Sequence, residues 1–200
     1  MEDQTDSSSK IINAAYTLFQ KKGIDSTSTK EIAKVAKVNE VTIFRLFKNK
    51  KNLATKVVEI HGPASVVDKF EKLELSEDQE ENLLALTMTL IKFHSDNKAF
   101  MKFIFHNLTT KKSLPHLTKM LDPLLNWLEE YLAKFTSLTP ADRRKFATEF
   151  SSVVAMRSIR KAITDSAEPF AEIDSDFAKF HARIFAGALR DLTETKKGKA

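Results

Sequence analysis

The stretch Ser28-Thr-Lys-Glu-Ile-Ala-Lys-Val-Ala-Lys-Val-Asn-Glu-Val-Thr-Ile-Phe-Arg-Leu-Phe-Lys-Asn-Lys50 holds two short amphipathic segments, a tight turn and a basic exit. Ser28 and Glu31 have capping-box spacing: the Ser hydroxyl can accept from the backbone N–H three residues on while the Glu reaches back. Ile32, Ala33, Val35 and Ala36 then form an apolar face. Lys37-Val38-Asn39 breaks the period, and Asn39 is a good N-cap for a second helix carrying Val41, Ile43, Phe44 and Phe47. Val38 is expected to plug the angle between the two. Helices this short bury too little on their own, so a third is required. Ile11, Ile12, Ala15, Leu18 and Phe19 supply it, and Gly23 is placed to end it as a C′ residue.

Charge marks out the same region. Residues 10–63 contain eleven Lys or Arg against four Asp or Glu, a net of +7, whereas residues 64–195 carry eighteen against twenty. The formal net charge of +5 is therefore an N-terminal property. Duplex DNA rewards that placement, because cations at phosphates release condensed counterions and supply sequence-independent affinity. A compact helix-turn-helix within a basic region points to DNA docking.

Composition removes several other classes. With 42% hydrophobic residues and 15 Phe, the chain can bury a sizeable core. Its four glycines, at 23, 62, 187 and 198, are too scattered for a phosphate-binding glycine loop. No cysteine is present, so disulfides, thiolate zinc sites and thiol nucleophiles are excluded. No signal peptide or membrane-spanning apolar run is evident, which gives a cytoplasmic expectation without a membrane partner. The five histidines lack the His-x-x-x-His or Glu-x-x-His spacing that places two ligands on one helix face, so no metal is expected. There is no Gly-x-Ser-x-Gly elbow, and Glu129-Glu130 reads as a solvated face rather than an acid/base pair. Neither an enzyme nor a cofactor is expected.

Helical periodicity without strand alternation continues outward from the quoted stretch, so the fold class is all-α. Residues 1–9 read as an acidic, Ser-rich disordered lead, and 10–50 as the helix-turn-helix domain. Residues 51–75 form a connecting helix broken at Gly62-Pro63, and 76–195 a helical second domain. Within the latter, helices are expected from Ser76 to Asn97, Phe100 to Leu108, Pro115 to Leu132 with a distorted turn at Pro123, Pro140 to Ile163, and Asp174 to Leu192. Thr139-Pro140-Ala141-Asp142 supplies an N-cap, Pro at N1 and first-turn acid for the fourth of these.

At Ile32-Ala33, Val38, Thr42, Phe44, Phe47 and Lys50-Lys-Asn-Leu53 the sequence resembles the TetR family of bacterial transcriptional regulators. The resemblance spans about residues 10–57. It implies an N-terminal helix-turn-helix followed by a divergent helical domain for ligand binding and dimerisation. It also implies phosphate contacts from Ser28 or Thr27 at the helix start, Thr42, Lys48 and Lys50, and base-edge contacts from Glu40, Val41 and Arg45. The chemistry agrees: hydroxyls and helix N-termini suit phosphate oxygens, Arg pairs with guanine, and Glu accepts from cytosine N4. Lys37, Asn39 and Phe44 complete the candidate DNA-binding set. Lys37 replaces the family's usual turn Gly, Phe44 its usual Tyr, and Leu46 a commonly polar position.

In the second domain, Phe93, His94, Phe103, His106, Asn107, Met120, Trp127 and Met156 are candidates for an apolar pocket with a few orienting polar groups. Each is also a residue that a plain helical core uses. Phe150, Val154, Phe177, Phe180, Ile184, Gly187 and Ala188 are candidates for a helix pair that packs across a twofold in a homodimer. The function expected is a ligand-responsive repressor, dimeric on a palindromic double-stranded DNA operator and released by an apolar or amphipathic effector. A nonspecific architectural DNA binder and a helical carrier or enzyme are the alternatives.

Overall fold

The computed structural model describes residues 2–62, 64–98, 101, 121–164 and 170–197, with side chains described for 6–62, 65–98, 101, 121–161 and 175–194. Among these residues every regular element is a helix, as expected. They are α1 Glu2–Lys22, α2 Thr29–Ala36, α3 Glu40–Phe47, α4 Lys50–His61, α5 Ala64–Phe70, α6 Gln79–Asp96, α7 Asp122–Phe135, α8 Pro140–Thr164 and α9 Phe170–Lys197. The expected helix from Phe100 to Leu108 and the start of the next at Pro115 fall outside the described residues. So does Pro63.

The chain divides into two compact units, one of residues 1–65 with 97–120 and one of residues 66–96 with 121–200. In the first, α1, α2 and α3 close around Ile11, Ala15, Ile32, Ala33, Ile43 and Phe47, and α4 adds Leu53, Ala54 and Val57. Ile11, Ile32, Ile43 and Leu53 have no exposed surface, and each such burial stabilises by about 2 kcal/mol. The expected disordered lead is corrected here, because α1 starts at Glu2. Acidic residues at positions 2, 3 and 6 suit the positive end of a helix, and Asp6 pairs with Lys10 one turn on. Gly23 ends α1 at φ 82, its N–H donating to the Phe19 carbonyl.

The second unit surrounds Val66, Phe70, Leu83, Leu86, Leu90, Leu128, Leu132, Phe150, Val154 and Leu189. Asp78 caps α6 by accepting from the backbone N–H of Glu80 and Glu81, and Thr139 caps α8 by accepting from the N–H of Asp142. Pro123 does not distort a turn as expected. It lies in the first turn of α7, where a missing N–H removes no helical hydrogen bond. Arg144 on α8 reaches Asp122 at 2.7 Å and Glu129 at 2.6 Å, fastening α8 to α7.

Candidate nucleic-acid interface

The turn between α2 and α3 follows from its caps. Ser28 and Glu31 form the expected capping box, with the Ser28 N–H donating to Glu31 Oε2 at 2.9 Å and the Glu31 N–H donating to Ser28 Oγ at 3.2 Å. Lys22 pairs with Glu31 as well, and the Lys22 and Ser28 hydrogen bonds hold the Glu31 carboxyl down to about 2. At the far end Lys37 takes φ 55, in the left-handed region that explains why a Gly would suit this position. The Val38 N–H reaches back to the Ala33 carbonyl at 3.0 Å, a Schellman closure, and Val38 packs on the core below the turn. Asn39 Oδ1 then accepts from the Val41 N–H at 2.9 Å and starts α3.

Helix α3 buries Ile43 and Phe47 and exposes the opposite face, on which Val41, Phe44 and Arg45 sit one turn apart. Asn39, Lys37 and Ser28 are exposed beside them, and Thr42 and Glu40 are half-buried. Glu40 is engaged within the protein, since the Thr29 hydroxyl donates to its Oε1 at 2.6 Å and joins the first turns of α2 and α3.

Helix α3 leaves through a strained turn. Lys48 has φ 67 and ψ −43, and the Asn49 N–H donates across it to the Phe47 carbonyl at 2.8 Å, giving a γ-turn. Lys48 is exposed, and Asn49 caps α4 through the Asn52 N–H at 2.8 Å.

Two residues expected at phosphates are turned into the loop before α2. Thr27 is buried, and its hydroxyl donates to the Gly23 carbonyl at 2.7 Å. Lys50 is half-buried, and its Nζ donates to the carbonyls of Ile24 at 3.0 Å, Asp25 at 3.3 Å and Thr27 at 3.0 Å. Three carbonyl dipoles around one ammonium tie the start of α4 to the approach of α2.

Sequence reading missed a cluster at the back of this unit. Tyr16 on α1 stacks on His61 of α4 at 4.0 Å between ring centroids, and its hydroxyl donates to Asn97 Oδ1. Gln20 Nε2 donates to the same oxygen at 3.1 Å. The one available signal was polar residues at positions 13, 16, 17 and 20, a second face on a helix whose other face is core.

In the second unit the expected pocket residues scatter. Phe93 is core, His94 is buried, Trp127 is half-buried between Phe70 at 4.8 Å and Tyr131 at 5.8 Å, and Met156 is 60% exposed. Phe103, His106, Asn107 and Met120 lie outside the described residues. Two interior polar pairs are present instead. Ser158 donates to the Val154 carbonyl and so accepts from His94 Nδ1 at 3.1 Å. Thr87 likewise donates to the Leu83 carbonyl and accepts from His181 Nδ1 at 3.0 Å. His181 sits among the rings of Phe150, Phe177 and Phe185, and its buried Nε2 has no hydrogen-bond partner. Burial lowers both imidazoles to about 4. The sequence carries the signal as the seven-residue spacing of Thr87 and His94, which places both on one face of α6.

The expected dimer residues also divide. Phe150 and Val154 are wholly buried in their own subunit, while Phe177 is half-buried under the Arg157 guanidinium at 4.3 Å. Phe180 and Ile184 are exposed, and Gly187 and Ala188 are half-buried. A Cβ at Gly187 would meet nothing within 4 Å among the described residues.

A capped α2, a left-handed turn and a recognition-type α3 packed on α2 define a helix-turn-helix protein. Residues 11–57 match the family described as bacterial regulatory proteins, tetR family, and this stretch is similar to the helix-turn-helix segment of that family. The chain is 32% identical over 126 residues to an uncharacterized HTH-type transcriptional regulator, YvkB, of Bacillus subtilis (strain 168), covering 62% of this chain and 64% of that one. It thus spans just under two thirds of that relative's length. The fatty acid degradation regulator FadR of Bacillus halodurans has the same fold, with a TM-score of 0.67 at 19% identity over 92% of this chain and 96% of that one. So does the transcriptional regulator FadR of Bacillus subtilis, solved with stearoyl-CoA, with a TM-score of 0.64 at 16% identity over 88% and 96%. No helix among the described residues is long and apolar enough to cross a membrane.

Proposed function

We propose that the chain is a transcriptional regulator that binds a twofold-symmetric operator as a homodimer and is released from it by an apolar or amphipathic effector. The observation that carries this reading is α3, whose Val41, Phe44 and Arg45 face outward from a basic, well-capped helix-turn-helix. Duplex DNA is the partner that accepts both the cations and an inserted helix of this length. A dimer places two such helices about 34–36 Å apart, one turn of B-DNA.

Support for dimerisation comes from Val153 and Met156 on α8 and Phe180 and Ile184 on α9, large apolar side chains left exposed at helical spacing. Met156, first assigned to a pocket, joins this set. Support for an effector is the aromatic interior holding the His94–Ser158 and His181–Thr87 pairs, together with the stearoyl-CoA bound by the Bacillus subtilis neighbour. Effector binding lowers DNA affinity by favouring a dimer whose two α3 helices have the wrong separation.

The test is selection of bound duplexes from a random library followed by footprinting, with stearoyl-CoA as the first effector probe. An inverted-repeat footprint that weakens with the acyl-CoA is the expected result. A footprint without twofold symmetry would favour an architectural binder, and indifference to acyl chains of every length would remove this effector class.

A further inference from the structure

We propose that Val41 and Phe44 are the specificity-determining pair of α3 and that they read the 5-methyl groups of thymines in the operator half-site. This rests on the duplex-DNA reading above and goes a step past it, to the base chemistry recognised. Val41 is 69% exposed and Phe44 46% exposed, although both belong to the apolar set of the sequence. Ile43 at 0% and Phe47 at 8% satisfy the core, so the packing of the unit does not need the outer pair. The two are three residues apart and share one face with Arg45.

A single exposed apolar side chain needs no explanation. Here two stand together on α3, in a helix-turn-helix unit whose exposed side chains include the cations Lys34, Lys37, Arg45, Lys48 and Lys51. That excess of exposed cations favours a polyanion over an apolar protein or lipid surface. The apolar group on base edges in the major groove is the thymine methyl. The group that would otherwise read cytosine, Glu40, has one carboxylate oxygen taken by the Thr29 hydroxyl at 2.6 Å. Arg45, suited to guanine, supplies hydrogen-bond readout on this face beside a methyl-reading patch. Phe44 also lacks the hydroxyl that would tie its ring to a phosphate, leaving the ring free to turn toward a base.

The experiment uses the full-length protein and a duplex selected from a random library, with each thymine of a half-site replaced in turn by uracil, which deletes the methyl alone. One or two positions are expected to lose about four-fold in affinity each, the effect of one buried methyl. In Val41→Ala and Phe44→Ala proteins the corresponding uracil substitution should have no further effect. Uracil tolerated within two-fold at every position, or a uracil effect unchanged in both variants, overturns the inference while leaving DNA binding intact. A library from which no sequence is enriched overturns the function reading itself, and this inference with it.

Discussion

Lys50 shows how a cation within a helix-turn-helix can serve the fold instead of a nucleic acid. Its ammonium is surrounded by three loop carbonyls at 3.0 to 3.3 Å. Lys50→Met is expected to destabilise the protein by about 2 kcal/mol, as loss of charge-assisted hydrogen bonds does. The slope of log affinity against log salt should stay unchanged. A slope shallower by about 0.9 would instead assign Lys50 to a phosphate. Lys48 is the reverse case, an exposed side chain on a backbone that resists it, at φ 67 and ψ −43. Lys48→Gly is expected to raise stability by about 1 kcal/mol in urea unfolding, whereas Lys48→Ala should give no gain, because a Cβ keeps the strain.

At the scale of elements, α8 and α9 each have two apolar faces with different duties. Phe150 and Val154 lie wholly inside the subunit, while Val153, Met156, Phe180 and Ile184 are exposed. Phe180→Glu with Ile184→Glu is expected to give a folded monomer in light scattering, with a circular dichroism spectrum like wild type and loss of cooperative binding to a two-half-site duplex. A variant that remains dimeric would place the interface elsewhere. Helical periodicity could not separate these faces, since a helix packed on one side and a helix packed on two carry the same apolar residues. The short helices α2 and α3 were more legible because their ends are set by side chains within three residues, at Ser28, Glu31 and Asn39.

At the scale of the molecule, acid should act chiefly through the second unit. His94 and His181 are held neutral in the folded state, with burial lowering both to about 4. Unfolding lets them bind protons from their ordinary value of 6.5 downward, so the unfolded state gains protons first and stability falls as the pH drops from about 6.5 toward 4. A shift of this size amounts to at most about 3 kcal/mol per group. Urea midpoints measured between pH 7.5 and 4 should fall steadily through that window. A flat profile down to pH 4.5 would mean that the imidazoles are already solvated. Glu31 acts later, its stabilisation present above its ordinary value of 4.5 and lost toward about 2.

The sequence by itself determined the all-α class, the capped helix-turn-helix and its basic surroundings, because caps, periodicity and charge are local properties. The seven-residue spacing of Thr87 with His94 was equally present in the chain, though nothing local said what the two would meet. Tertiary structure alone decided that Lys50 and Thr27 face the loop before α2, that Glu40 is tied to Thr29, and that His181 meets Thr87 across 94 residues. It also decided that Met156 is exposed while Val154, two residues away, is not. The reason is physical: a helical sequence fixes which residues share a face, and only packing fixes which neighbour, or which solvent, that face receives.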